Sequence, residues 1–289
     1  MKNLFAALLL VHVVAVSGQQ GLAEDVKAPP GLRVFYTGHS FHMFVPPRVE
    51  QLVKSAGIEG HKLAGTQGLG GSRVIQHWDL ADDKNKAKPA LIGGEVDVFT
   101  MAAHLQIPDE GIAKFTELGL KHNPNLRLLV QASWYPFDLP GDKRIANNAQ
   151  RDDAKVADLQ AAIDEWRKRL EAQVDGLNKQ HGKTAVFIVP VGDAVVKLRG
   201  LVLDGKYPGV TKQSELFTDP IGHGGPHVQA LASYCNFAAI YRTSPVGLKM
   251  MVQGIDDAQH AILQSIAWET VSTYSHAGIP AKSSTGASP

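Results

Sequence analysis

One cysteine, Cys235, is all the thiol chemistry that the 289-residue chain carries. That excludes an intrachain disulfide and any zinc site built of cysteines. Excess charge of either sign is missing too: 29 Lys and Arg stand against 28 Asp and Glu, so neither a polyanion-binding surface nor an acidic tail is indicated. Nucleic acid is therefore not an expected partner. Beyond the first twenty or so residues no apolar run is long enough to cross a bilayer. What the chain does have is 44% apolar residues and enough length for one large domain or two small ones with a proper core.

The N-terminus reads as an address. Lys2 precedes a nearly all-apolar run from Leu4 to Val16, and the small residues Ser17, Gly18 and Ala23 follow, which is the layout of a secretory signal peptide. The expected organisation is a signal peptide over residues 1–23, one α/β domain over 24–278, and a disordered tail rich in Ser, Gly and Pro over 279–289. The expected location is secreted or periplasmic, with no membrane contact once the leader is cleaved.

Along the domain, apolar β-prone runs bounded by polar residues or Gly and Pro predict strands at Leu32–Thr37, Val96–Met101, Leu126–Trp134 and Thr184–Val191. A weaker strand is predicted near His61–Gly65. Pro46 and Pro47 open a helix that runs to about Ala56. Leu159, Ile163, Trp166, Leu170, Val174 and Leu177 recur at spacings of three and four, which predicts a long amphipathic helix. Two more helices are predicted at Pro226–Tyr241 and from Asp256 to about Tyr274. Strands without polar alternation, interleaved with helices, imply a three-layer α/β domain with a parallel five-stranded sheet and helices on both faces. Asp138–Asp153, polar and punctuated by Pro and Gly, reads as an exposed loop.

In an open parallel sheet, ligands bind beyond the carboxyl ends of the strands. His39, Ser40, Phe41 and His42 follow the first predicted strand. Gly68, Gly70, Gly71 and Ser72 follow the second, His104 the third, Trp134 the fourth and Asp193 the fifth. Asp219 and His223 stand in a loop just before the helix at Pro226. A hydroxyl becomes a competent nucleophile when an imidazole takes its proton and a carboxylate orients that imidazole. Ser40, His223 and Asp219 are the candidates for those roles, with His227 a competitor for the base.

Gly38-His39-Ser40 after the first strand, together with Asp219 and His223 near the C-terminus, resembles the SGNH (GDSL-like) hydrolase superfamily, whose members are flavodoxin-like α/β esterases and lipases. The resemblance implies Ser40 as nucleophile, His223 as base and Asp219 as its orienting acid. It also implies an oxyanion hole from the Ser40 N–H, a glycine N–H (Gly70 or Gly71) and an Asn side chain after the third strand. Three departures stand out. Gly-Asp-Ser is here Gly38-His39-Ser40, and Asp-x-x-His is lengthened to Asp219-Pro220-Ile221-Gly222-His223. No Gly-x-Asn-Asp block follows the third strand, where Met101-Ala102-Ala103-His104 leaves His104 as the one candidate to replace the Asn.

His39 and Trp134 are the expected substrate contacts, and Trp78, Tyr135 and Phe137 are further aromatic residues to place against a pocket or in the core. The substrate expected is a small-molecule or carbohydrate ester, possession of a cofactor is not expected, and Gly68–Ser72 lacks the spacing of a nucleotide-binding loop. Cys235, on the apolar stripe of its helix, is expected to be buried and inert. Two rival classes are a non-catalytic binding module on the same scaffold and a metal site built from His39, His42, His104, His223 and His227.

Overall fold

The computed structural model describes residues 28–280, so the leader reading of residues 1–23 and residues 281–289 of the expected tail lie outside the described residues. Five strands, β1 (Arg33–Gly38), β2 (Lys62–Gly68), β3 (Val98–Ala102), β4 (Arg127–Gln131) and β5 (Val186–Val189), form one sheet in the order β2-β1-β3-β4-β5. All four pairings are parallel. This is the flavodoxin-like order, and its switch point lies between β1 and β3.

Alternate strand residues feed two cores. Val34, Tyr36, Val98, Leu129, Phe187 and Val189 face α1 (Val45–Ser55), α6 (Val191–Leu203), α7 (Pro226–Tyr241) and α8 (Asp257–Thr273). Phe35, Phe99, Met101, Leu128, Val130 and Ile188 face α2 (Val74–Trp78), α3 (Ala87–Ile92), α4 (Glu110–His122) and α5 (Val156–Gln180). The expected three-layer architecture is therefore the one observed. The predicted stripe from Leu159 to Leu177 is the buried face of α5. Helix α7 is buried nearly all round, as an apolar helix between a sheet and other helices must be, and Cys235 lies within it. No helix among the described residues is long and apolar enough to cross a membrane.

Several boundaries differ from the expectation. The last long run stops as a strand at Val189, and from Val191 the chain is helical. Val191, Val195, Val196, Leu198 and Val202 prolong the apolar signal of β5 into α6, which hides the change of period. Asp193 accordingly stands in the first turn of α6, paired with Arg167, and not in a loop at the sheet end. Helix α4, not anticipated, starts where the Asp109 side chain accepts the Gly111 N–H at 2.9 Å. The segment Asp138–Asp153 is not simply an exposed loop: Asp138 and Arg151 are both buried. Beyond Gly278, Ile279 still packs on the core.

Candidate active site

The turn after β1 carries Ser40 into solvent, and the turn is closed by the His42 and Met43 N–H groups donating to His39 O at 2.9 and 3.1 Å. On the other side of the same sheet end, residues 217–224 form a loop pinned at its base by a Phe217–Gly224 bridge. The two meet. Ser40 Oγ lies 2.9 Å from His223 Nε2, and His223 Nδ1 lies 2.5 Å from Asp219 Oδ2. The second carboxylate oxygen of Asp219 accepts the Gly222 N–H at 2.9 Å and the His223 N–H at 3.2 Å. Burial would raise the Asp219 carboxyl, but hydrogen bonds from the His223 ring and from the His223 and Gly222 N–H groups outweigh it and hold the carboxyl below its ordinary range. An ionised Asp219 makes Nδ1 the protonated ring atom, which leaves Nε2 free to accept from Ser40.

Beneath the serine turn runs a buried polar network. His42 Nδ1–H donates to Gln131 Oε1 and His42 Nε2 accepts from Thr100 Oγ1, each at 2.8 Å. Gln131 Nε2 donates to Phe41 O and to Ser133 Oγ, both at 2.8 Å, and Asn236 Nδ2 donates to Gln131 Oε1 at 2.9 Å. The network thus ties the serine turn to β3, β4 and α7. Burial lowers the His42 pKa to about 4, so the ring is neutral at neutral pH, as its acceptor role at Nε2 requires.

The loop after β2 is held by a second buried chain. Gln67 Nε2 donates to His77 Nδ1 at 3.3 Å, His77 Nε2–H donates to Ser72 Oγ at 2.8 Å, and Ser72 Oγ–H donates to Leu69 O at 2.8 Å. Leu69 N–H in turn donates to Gly38 O at 3.1 Å, which sets Gly70 and Gly71 beside the serine turn. Gly71 has φ +59°, a left-handed conformation that favours glycine, and space is open where a Cβ would stand at either glycine.

Ser40, His223, His39, Gly70, Gly71, His104 and Trp134 all line one cavity of about 400 Å³ at this sheet end. Its other walls are mainly apolar: Phe41, Ala103, Leu105, Pro136, Trp166 and Ile221, with Ser133 the remaining polar residue. His39 is a wall more than a free polar contact, because its Nδ1 accepts the Phe41 N–H at 3.3 Å and its Nε2 faces Ala103 O at 3.5 Å. Burial lowers its pKa to about 4. His104 Nδ1 faces the Gln106 N–H at 3.5 Å, so the proton sits on Nε2. Burial first, and then the Arg73 guanidinium, lower its pKa and favour that neutral form, against a smaller opposing effect of Asp109.

Of Trp78, Trp134, Tyr135 and Phe137, Trp134 alone lines the cavity. It stacks on Phe41 at 4.7 Å between ring centroids. Trp78 packs edge-on against Phe115, Tyr135 is buried in the core on the α5 side, and Phe137 lies under Arg144. Trp166 was legible only as part of a helical stripe, and nothing in the sequence marked Leu105, Pro136 or Ile221 as lining residues.

The structure separates the two candidate bases. His227 is in the first turn of α7, its Nδ1 2.8 Å from the Tyr207 hydroxyl, and it does not line the cavity. The five histidines considered for a metal site do not converge, since His42 is buried under the turn and His227 is directed to Tyr207. Among the described residues no group of three or more His, Cys, Asp or Glu side chains is placed to hold a metal ion.

No family model matches the chain, and no curated protein resembles it significantly in sequence. Solved structures do. A DUF4886 family protein from Bacteroides uniformis has 14% identity over 83% of this chain and 95% of its own, at a TM-score of 0.55. A GDSL-like lipase from Parabacteroides merdae has 10% identity over 84% of this chain and 97% of its own, at a TM-score of 0.42. A family 3 carbohydrate esterase from Clostridium thermocellum has 14% identity over 56% of this chain and 79% of its own, at a TM-score of 0.35. The likeness is one of fold. That fold is a three-layer α/β one, with five parallel strands in the β2-β1-β3-β4-β5 order and helices on both faces.

Proposed function

We propose that the chain is an SGNH-type serine hydrolase that cleaves carboxylic esters, with Ser40 as nucleophile, His223 as general base and then acid, and Asp219 as the carboxylate that orients the imidazole. The observation that carries the reading is the unbroken Ser40–His223–Asp219 hydrogen-bond chain at the mouth of a cavity. In the first half-reaction Ser40 Oγ attacks the ester carbonyl carbon while His223 Nε2 takes its proton. The tetrahedral intermediate collapses by expelling the alcohol, which leaves with the proton from Nε2. Water then repeats the sequence on the acyl-serine, with His223 again moving the proton, and the acid is released.

The oxyanion is assigned to the N–H groups of Ser40 and of Gly70 or Gly71, and to His104 Nε2–H in the place of the family's Asn. In the hydrogen-bond pattern of the described residues, none of these three backbone N–H groups has a partner within the chain. His104→Ala is expected to lower kcat by about 100-fold to 1000-fold, the usual cost of one oxyanion donor, with KM little changed. His104→Asn retains most of the activity. An unchanged kcat in His104→Ala would remove His104 from the machinery.

The mainly apolar cavity walls support an uncharged acyl group, and a short acyl group on a carbohydrate is the substrate class proposed. Export of the enzyme, proposed from the N-terminal run, fits a substrate outside the cytoplasm. The test is covalent. A fluorophosphonate probe should label the protein at one site, and Ser40→Ala should abolish both labelling and hydrolysis of p-nitrophenyl acetate. Absence of labelling and of hydrolysis of any activated ester in the unmodified protein overturns the reading. Carbohydrate affinity unaltered by Ser40→Ala, without hydrolysis, would then identify a binding module.

A further inference from the structure

Asp219 and His223 are joined by a loop that belongs to no helix or strand, so their alignment depends on what holds the backbone between them. Every carbonyl from Asp219 to Gly222 has a donor in one segment, Trp134 to Arg151, and Asp219 O accepts the Gly222 N–H of the loop as well, at 3.1 Å. Arg151 Nη2 donates to Asp219 O at 3.0 Å and to Pro220 O at 2.9 Å. The Phe137 N–H donates to Ile221 O at 2.8 Å, and Trp134 Nε1–H donates to Gly222 O at 2.8 Å.

Arg151 is itself fixed. It has no exposed surface, its Nε donates to Asn148 Oδ1 at 2.9 Å, its guanidinium is paired with Asp138, and it lies 4.4 Å over the Phe217 ring. Asp138 also accepts both terminal nitrogens of Arg199, at 3.0 and 2.8 Å. A buried cluster of two arginines and one aspartate is a poor device for stability alone, because desolvating the ions consumes much of what their attraction returns. The backbone here is also in an uncommon state. Phe137 and Asp138 have φ of +54° and +64°, a conformation that costs non-glycine residues energy and that concentrates at functional sites. That pair of left-handed residues lies where the Phe137 N–H meets Ile221 O and the Asp138 carboxylate meets Arg151. Gly222 closes the arrangement from the other side: its φ is +101°, and a Cβ there would stand 3.1 Å from Arg151 Nη2 and 3.5 Å from Trp134 Nε1.

We propose that the Trp134–Arg151 segment is a clamp that sets the Asp219–His223 hydrogen bond, with Arg151 as its positioning residue. The proposal rests on the reading of Ser40, His223 and Asp219 as the reacting set. It accounts for the lengthened Asp-to-His spacing: the additional residue is accommodated because each carbonyl of the longer loop is held from outside it. Arg151 touches neither Ser40 nor the cavity, so it acts through the loop.

Arg151→Lys retains the charge but replaces the planar fork by a single ammonium. It is expected to lower kcat by about 100-fold, the effect of displacing a reacting group by about an ångström, while KM stays near that of the unmodified enzyme. The second readout is the low-field proton resonance of His223 Nδ1–H, which should shift or broaden. Gly222→Ala presses on the same clamp while keeping every charge of the buried cluster and should reproduce both effects; it decides the matter if Arg151→Lys does not fold. The resonance reports the clamp whether or not an ester is turned over, so failure of the hydrolase reading is seen separately, as an unmodified protein that neither labels nor hydrolyses. A folded variant that keeps the native resonance and kcat overturns the clamp.

Discussion

Asp219→Asn should lower kcat by about 10⁴-fold while leaving the protein folded. The carboxylate does two jobs that the substitution separates. Its Oδ1 accepts the Gly222 and His223 N–H groups, and an amide oxygen can take over both contacts, so the loop keeps its shape. Its Oδ2 accepts the proton of His223 Nδ1 at 2.5 Å, and there the amide presents an NH₂ group in place of an acceptor. Nδ1 must then accept, the ring proton moves to Nε2, and Nε2 can no longer receive the proton of Ser40 at 2.9 Å. The loss is one of tautomer, not of architecture. The measurement is kcat on an activated ester, together with the melting temperature. A kcat within tenfold of the unmodified enzyme at equal melting temperature would remove Asp219 from the proposed mechanism.

That contrast between tautomer and architecture also describes what was legible in the sequence. The buried strands β1, β3, β4 and β5 announce themselves because both faces of the sheet are covered, so their runs are almost uninterrupted apolar residues. Edge strand β2, with its first residues exposed, gives only a weak signal. Ser40 and His223 stand out because a serine just after the first strand and a histidine in a late loop are features of chain order, which a sequence displays directly. The parts that orient them are not. His42, Thr100, Gln131 and Asn236 are polar residues scattered over four segments, and their hydrogen bonds exist only after the sheet has formed. Arg151 and Asp138 are harder still. In a stretch with Pro, Gly and paired Asn, composition predicts solvent, and nothing local marks which charged side chain will be enclosed. Helix α6 was hidden for a different reason: an apolar strand running through one proline into an apolar helix presents no polar boundary at which the period could be seen to change.

Acid should unfold this protein from around its site. His39, His42 and His77 are buried, and burial lowers each pKa from 6.5 to about 4. The unfolded chain, with ordinary histidines, therefore binds more protons than the folded one between those values. The stability these neutral rings represent is fully present above pH 6.5 and is lost as pH falls toward 4. At pH 5 the linkage amounts to about 2 kcal/mol for each ring, up to about 6 kcal/mol for three, set against a total of roughly 5–15 kcal/mol for an ordinary domain. Protonation is also chemically specific here. A charged His42 loses the acceptor that Thr100 Oγ1 requires, and a charged His77 loses the acceptor that faces Gln67 Nε2. His39 and His42 belong to the turn that carries Ser40, and His77 supports the loop that carries Gly70 and Gly71, so activity and fold should fail over the same pH range. Urea midpoints measured from pH 7 to pH 4.5 should fall steeply below 6.5, and His42→Gln or His77→Gln, though less stable at neutral pH, should show a shallower fall. A midpoint that holds constant from pH 7 to pH 5 would mean that these rings take up protons without disturbing the turns they support, and the link between their burial and the geometry of the site would be lost.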